Sequence, residues 1–187
     1  MAAFPDELRG ERLRLCRKRL DDVDEVMDAI ATSLPELRTW MSWAQTMPTR
    51  ESMVTKALED LAHFDTDESW SYWIRETEGN QLVGSAALRR GGDQELEIGY
   101  WVRTDRTGRG YATEAAAMLT SAAFASALDV ATVTISMDRA NAASAKVPEK
   151  LGFHRDEEYE RDIETPGHSG AGIAWRIGHD GWRARSS

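Results

Sequence analysis

Leu96-Glu97-Ile98-Gly99-Tyr100-Trp101-Val102, then Arg103 to Thr107, then Gly108-Arg109-Gly110-Tyr111-Ala112-Thr113-Glu114 and an Ala-rich run to Leu128 decide the fold. The first seven residues alternate, with Leu96, Ile98, Tyr100 and Val102 facing one way and Glu97, Gly99 and Trp101 the other, which predicts a strand. Ala112 to Leu128 holds no Gly or Pro, and Met118, Leu119, Ala122, Ala123 and Phe124 give it one apolar helical face. Strand, Gly-containing turn and helix together make a place for an anion. The turn's N–H groups and the unpaired N–H groups of the helix start converge there, and the helix dipole adds positive charge. No Lys-Ser or Lys-Thr follows the glycines, so the triphosphate loop is excluded. Position 113 is Thr, so the dinucleotide fingerprint is excluded as well. A plain strand-turn-helix joint with no ligand stays open on these residues alone.

The Gly-x-Gly-x-Ala turn after a Glu-Ile-Gly-Tyr-Trp-Val strand, followed by Asn141, Ser144 and Leu151-Gly152-Phe153 in that order, resembles the GNAT N-acetyltransferases, and among them the RimJ/RimL-like branch. The resemblance extends to about Ile177. It implies a mixed α/β (α+β) fold: a mainly antiparallel central sheet, helices on both faces, and a V-shaped split between two parallel central strands. It also implies acetyl-CoA as cosubstrate, with its pyrophosphate held by Thr107, Gly108, Arg109, Gly110, Tyr111, Ala112 and Thr113. The family carries Arg or Gln where this chain has Thr107, and Arg106 is the candidate substitute. Charge-assisted bonds from such amides contribute roughly 1.5–3 kcal/mol each. The pantetheine arm is expected in the split, against the backbone of Trp101, Val102 and Arg103, where a bulge would aim an N–H at the thioester oxygen.

Around this centre the rest of the chain reads in order. Arg12 to Arg17 alternates as a first strand, and residues 21–31 form a helix opened by Asp21-Asp22. Leu34 to Met47 reads as irregular, punctuated by Pro35 and Pro48. Thr49 caps a second helix with Met53, Ala57, Leu58 and Leu61 as its buried stripe. Trp70–Arg75 and Leu82–Leu88 flank Gly79-Asn80 as a hairpin, which continues through Gly91-Gly92-Asp93 into the 96–102 strand as a meander. Ala131 to Met137 reads as a strand parallel to 96–102 through a right-handed crossover. A short helix after Asn141 ends at Gly152, strands follow from Phe153 to about Glu160 and over 172–177, and the tail 178–187 reads as loose. Residues 1–187 are expected to form one domain.

Acetyl transfer needs a neutral amine, a polarised carbonyl, help for a leaving thiolate of pKa about 8.5, and alignment of the reactants. Many GNAT members place a Tyr acid before the Leu-Gly-Phe segment. This chain has Pro148 there, and the RimJ/RimL-like branch uses the Ser instead, which makes Ser144 the candidate acid and Asn141 its neighbour on the pantetheine. Simple helix capping by both also fits. Pro148 predicts a kink or a helix start near 144. Glu97, on the face of Trp101, is the candidate base, with Glu68 and Glu76 as lesser ones; a hydrogen-bonded strand Glu is the plainer reading. Trp40, Trp43 and Trp73 are candidate acceptor walls or, equally, core.

Of 187 residues, 32 are Asp or Glu against 23 Lys or Arg, a net charge of −9 that argues against broad nucleic-acid binding and suits a cationic acceptor. The opening residues carry no secretory pattern and no apolar run spans a membrane. The single Cys16 excludes an internal disulfide and fits a reducing cytoplasm. His63, His154, His168 and His179 lie scattered at expected surface positions, with no metal spacing. Trp175 and Trp182 are candidate faces of a homodimer. The partner expected is an amine, either a protein N-terminus or a small antibiotic-like molecule; the alternative is a non-catalytic acyl-CoA-binding regulatory module.

Overall fold

The computed structural model describes residues 3–185. One eight-stranded sheet runs β1-β2-β3-β4-β5-β6-β8-β7. The strands are β1 (Glu7–Arg9), β2 (Leu13–Arg17), β3 (Ser69–Glu76), β4 (Leu82–Arg90), β5 (Glu95–Val102), β6 (Thr132–Asp138), β7 (His154–Glu160) and β8 (Ala171–Gly178). The helices are α1 (Val23–Trp40), α2 (Arg50–Asp65), α3 (Tyr111–Ala125), α4 (Ala142–Lys150) and α5 (His179–Arg185). Every neighbouring pair is antiparallel except β5 and β6. The mixed, mainly antiparallel sheet of the sequence reading is therefore present.

The alternation in β5 explains the layers. Leu96 and Ile98 are buried with Ala115, Ala116 and Leu119 of α3. Trp101, one residue out of phase, packs with Trp73 and the α1 residues Val26, Ala29 and Ile30. Since strand side chains alternate, α1 and α3 lie on opposite faces.

β5 and β6 pair only at Glu95↔Thr132, Leu96↔Val133 and Glu97↔Thr134. Beyond Glu97 each strand stays with its outer neighbour: β5 with β4 up to Val102↔Gly84, and β6 with β8 up to Asp138↔Gly172. The two twisting half-sheets part, leaving a V open at the C-terminal ends of β5 and β6. The β4–β5 register runs without a shift, so no bulge opens the split; divergence of the half-sheets does. The hairpin turn is as read, with Gly79 at φ 74 and Asn80 at φ 57.

Several expectations need correction. α1 does not stop at 31 but runs through Pro35 to Trp40. The N–H that Pro35 lacks would have met the carbonyl of Ala31, an exposed residue, so the proline leaves no unpaired group in the core, while Ser33 and Leu37 continue the buried stripe. In α2, capped by Thr49 Oγ1 on Ser52 N at 3.1 Å, Leu58 is exposed and Asp60 takes the buried position. The Lys18 ammonium 2.7 Å away compensates that carboxylate. As far as Arg185 the tail is helical: α5 docks through Trp182 Nε1 to Ser121 Oγ at 3.1 Å and Arg185 Nη2 to Lys150 O at 3.0 Å, while 186–187 lie outside the described residues. Trp175 and Trp182, the suggested dimer faces, pack partly buried against the main core. β1 escaped notice because three residues carry too little pattern. Among the described residues no helix is long and apolar enough to cross a membrane, and no cluster of His, Cys, Asp and Glu is arranged to hold a metal.

Gly84 marks the closest approach within the sheet: a Cβ there would stand 2.1 Å from the Trp101 carbonyl oxygen. Gly84→Ala is expected to lower the unfolding free energy by roughly 1–3 kcal/mol, since the backbone of β4 or β5 must shift. Denaturant melts of the two proteins check this, and equal midpoints contradict it.

Candidate active site

The turn before α3 is built around two glycines in the left-handed region, Gly108 at φ 75 and Gly110 at φ 81, with Gly110 as the residue that caps the helix. Their conformation costs little without a Cβ. The first helix bond runs from Glu114 N to Gly110 O at 3.0 Å. Among the described residues, the N–H groups from Gly108 through Thr113 meet no acceptor. A continuous run of free amides at a helix N-terminus is a concave donor surface for an anion.

The turn is braced from β2. Arg12 donates through Nη1 to Arg109 O at 2.8 Å and through Nε to Glu114 Oε2 at 2.9 Å. Glu114 Oε1 accepts from Arg12 N at 2.9 Å and Leu13 N at 3.2 Å. Tyr111 Oη donates to Glu76 Oε1 at 2.7 Å, so Glu76, a lesser candidate base, is engaged in supporting the turn. Arg106 turns toward Glu76, Gln81 and Asp105; it does not take the place offered by Thr107, which is exposed beside the turn.

At the split, the backbones of Trp101 and Arg103 turn toward β4. The Trp101 carbonyl abuts Gly84, and Arg103 N donates to Val83 O at 2.7 Å. By strand alternation the peptide groups of Tyr100 and Val102 face the gap, so of the three expected residues only Val102 offers it free main chain. The missed neighbour is Tyr100, which the alternation placed only on the face of Leu96, Ile98 and Val102.

Across the gap, α4 begins at Asn141, whose Oδ1 accepts from Ser144 N at 3.1 Å. The helix starts at Ala142 and continues through Pro148, so no late start displaces Ser144. Ser144 Oγ stands 3.0 Å from Tyr100 Oη. Burial pushes the Tyr100 phenol up to about 12, against the smaller opposing effect of the Ser144 hydrogen bond.

Glu97 occupies the last paired position of β5, where the strands fork. Its carboxylate is partly exposed, 3.8 Å from Arg89. It lines a cavity of about 480 Å³ with Glu95, Thr134, Ser136, Asp156 and Arg176. Trp43 is 47% exposed, with its ring 6.3 Å from Trp101, and stands on the α1 face of the gap. Trp40 ends α1 half-buried. Trp73, grouped with them in the sequence, is only 4% exposed under the Lys18 ammonium, 4.3 Å from its ring, and belongs to the core.

The 161–170 loop closes this face, and the sequence did not show how. Thr165 Oγ1 and Gly167 N donate to Thr39 O at 2.7 and 3.0 Å. His168, expected at the surface, is buried, accepting from Glu164 N on Nδ1 at 3.2 Å with Nε2 3.3 Å from Trp40 O. Asp138, at the end of β6, accepts from Ser169 N at 2.9 Å, Ser169 Oγ at 2.8 Å and Ala140 N at 2.8 Å. Burial works to raise the Asp138 carboxyl, but these donors hold it below the usual carboxylate range.

A family profile described as an acetyltransferase (GNAT) domain matches residues 12–154. No curated protein matches the chain in sequence. Solved structures share the fold. A ribosomal L7/L12 alpha-N-protein acetyltransferase, RimL, in complex with coenzyme A superposes with a TM-score of 0.84 at 15% identity, over 94% of this chain and 99% of that one. The microcin C7 self-immunity acetyltransferase MccE, in complex with acetyl-CoA and AMP, gives 0.84 at 15% identity over 95% and 98%. Mycobacterium smegmatis RimJ in complex with CoA-disulfide gives 0.84 at 21% identity over 96% and 90%.

The depressed Asp138 carboxyl has a consequence for acid stability. Its contribution is complete above the unfolded-state value of about 3.9 and is lost as pH falls through the lower folded-state value. Asp138→Asn should therefore melt below wild type at neutral pH, with the difference shrinking as the pH drops below about 4. Thermal melts across pH check this; a constant difference contradicts it.

Proposed function

The chain belongs to the GNAT acetyltransferase family, and on that premise we propose that it carries an acetyl group from acetyl-CoA to a primary amine by direct attack in a ternary complex. The observation that carries this reading is the run of free amides from Gly108 to Thr113 at the start of the helix that follows β5, one of the two parallel strands that part beyond Glu97. A diphosphate on those amides places the pantetheine arm at the gap, where the peptide groups of Val102 and Tyr100 can pair with it as a missing strand would. Arg109, exposed on the turn, and Asn141 at the α4 start border this path.

The chemistry follows from the two faces. The amine approaches from the Glu97 side, where the carboxylate, directly or through water, takes the proton that nitrogen must lose. The nitrogen lone pair forms a bond to the thioester carbon, and main-chain N–H at the gap polarises the oxygen. The C–S bond then breaks, and the thiolate receives a proton from the Ser144 hydroxyl on the α4 side, which regains one from solvent. Alignment of the reactants supplies much of the rate. The acidic cavity beside Glu97 favours a cationic acceptor, a protein N-terminus or a small amine, with Trp43 and Trp40 as apolar walls on the α1 side.

Titration calorimetry with coenzyme A is expected to show binding by wild type and its loss in Gly108→Trp. A Cβ at Gly108 would meet no protein atom within 4 Å, but φ 75 strains any side chain there, so Gly108→Ala, which carries the same strain without the bulk, is the control and is expected to keep more of the binding than Gly108→Trp. Equal binding by wild type and Gly108→Trp places the cofactor elsewhere. Thiol release from acetyl-CoA with a panel of amines is expected to reveal turnover, and Ser144→Ala should lower kcat by roughly 10²-fold or more while leaving acetyl-CoA affinity nearly unchanged. Binding without turnover on any amine would leave an acyl-CoA-binding module instead.

A further inference from the structure

Pro148 and Tyr100 together show a device that neither residue reveals alone. In a regular helix the N–H of residue 148 would donate to the carbonyl of residue 144; proline has no N–H, so α4 leaves the Ser144 carbonyl without that donor. Tyr100 reaches across the split and donates Oη–H to the same carbonyl at 3.2 Å, while its oxygen stands 3.0 Å from Ser144 Oγ. One phenol thus touches both polar ends of one serine. We propose that Tyr100 is a positioning residue for Ser144: it fixes the serine hydroxyl in a single rotamer at the mouth of the gap and offers a second donor as that hydroxyl gives up its proton. The inference rests on the reading of Ser144 as the acid for the departing sulfur.

The hydrogen accounting supports the assignment. The Ser144 carbonyl can only accept, so at rest it takes the phenol proton and Oη accepts from Ser144 Oγ–H. When the hydroxyl proton turns to the sulfur, rotation about the phenol C–O bond carries the Tyr100 proton from the carbonyl to Oγ with no movement of heavy atoms. The phenol stays protonated throughout, consistent with its burial, so Tyr100 orients and stabilises and is not itself the proton source. Pro148 is what leaves the carbonyl available to draw the phenol across. The branch position that lacks a tyrosine acid on α4 thereby gains a tyrosine contact from β5.

A double-mutant cycle tests this. Tyr100→Phe keeps the buried ring and removes only the oxygen. With the fastest amine of the panel, kcat should fall about tenfold, the equivalent of one hydrogen bond, while KM for acetyl-CoA changes little and the thermal midpoint falls only by the loss of the bond to the Ser144 carbonyl. In the Ser144→Ala background the same substitution should have no further effect on kcat. Unchanged kcat in Tyr100→Phe, or losses that multiply in the double variant, overturn the positioning role. A Ser144→Ala enzyme as fast as wild type overturns the assignment of Ser144 instead, which separates the two failures. If no amine turns over, the crystal structure of Tyr100→Phe with coenzyme A decides: the inference expects Ser144 Oγ in more than one rotamer or a new one, and an unaltered single rotamer sinks it.

Discussion

β5 and β6 are each bonded along their length to an outer neighbour but to one another only as far as Glu97 and Thr134. Backbone N–H and C=O groups must be paired or hydrated, so the unshared stretch is a standing demand for a strand-like partner. Each feature of the site serves that gap. α3 follows the end of β5 after one short turn and starts with a run of free amides. α4 starts just beyond β6 and supplies Asn141 and Ser144 on the other bank. The divergence needs no bulge. It needs only two half-sheets, which share one apolar core, meeting at a short parallel seam.

The supports around the gap are polar and join segments far apart in the chain. Arg12 and Glu114 tie the anion turn to β2, where a loose turn would lose the convergence of its amides. Asp138, Ser169, Thr165 and His168 tie the 161–170 loop to the end of β6 and the end of α1. The α1 face of the gap is thus bordered by this loop, and Glu97 opens onto the acidic cavity. The two faces of the sheet carry different groups, Glu97 on one and Ser144 with Tyr100 on the other, with the gap between them.

Much of this was legible in residues 96–128, because strand alternation, glycines at a helix start and an alanine-rich apolar face are local patterns. The hairpin, the parallel β6, the Thr49 cap and the Asn141 cap were legible for the same reason. Chemistry that depends on neighbours far along the chain was not. Pro35 looked like a helix end because its tolerance depends on which face of α1 is exposed. Leu58 is exposed and Asp60 buried where Lys18, just past the end of β2, pairs with the aspartate. Trp73 was grouped with Trp40 and Trp43 because a tryptophan's neighbours cannot be read from its spacing.

The sequence by itself determined the family, the sheet class, the anion turn and the identity of Ser144, Asn141 and Glu97 as candidates, since each rests on residue types at short range. Tertiary structure alone decided that the split is a divergence of half-sheets, that the tail folds as α5 over β8, and that Tyr100 meets Ser144 across the gap. Those facts depend on where separate segments cross in space. A hydrogen bond between residues 100 and 144, placed by a proline at 148, exists only once both strands and the helix between them have taken their positions.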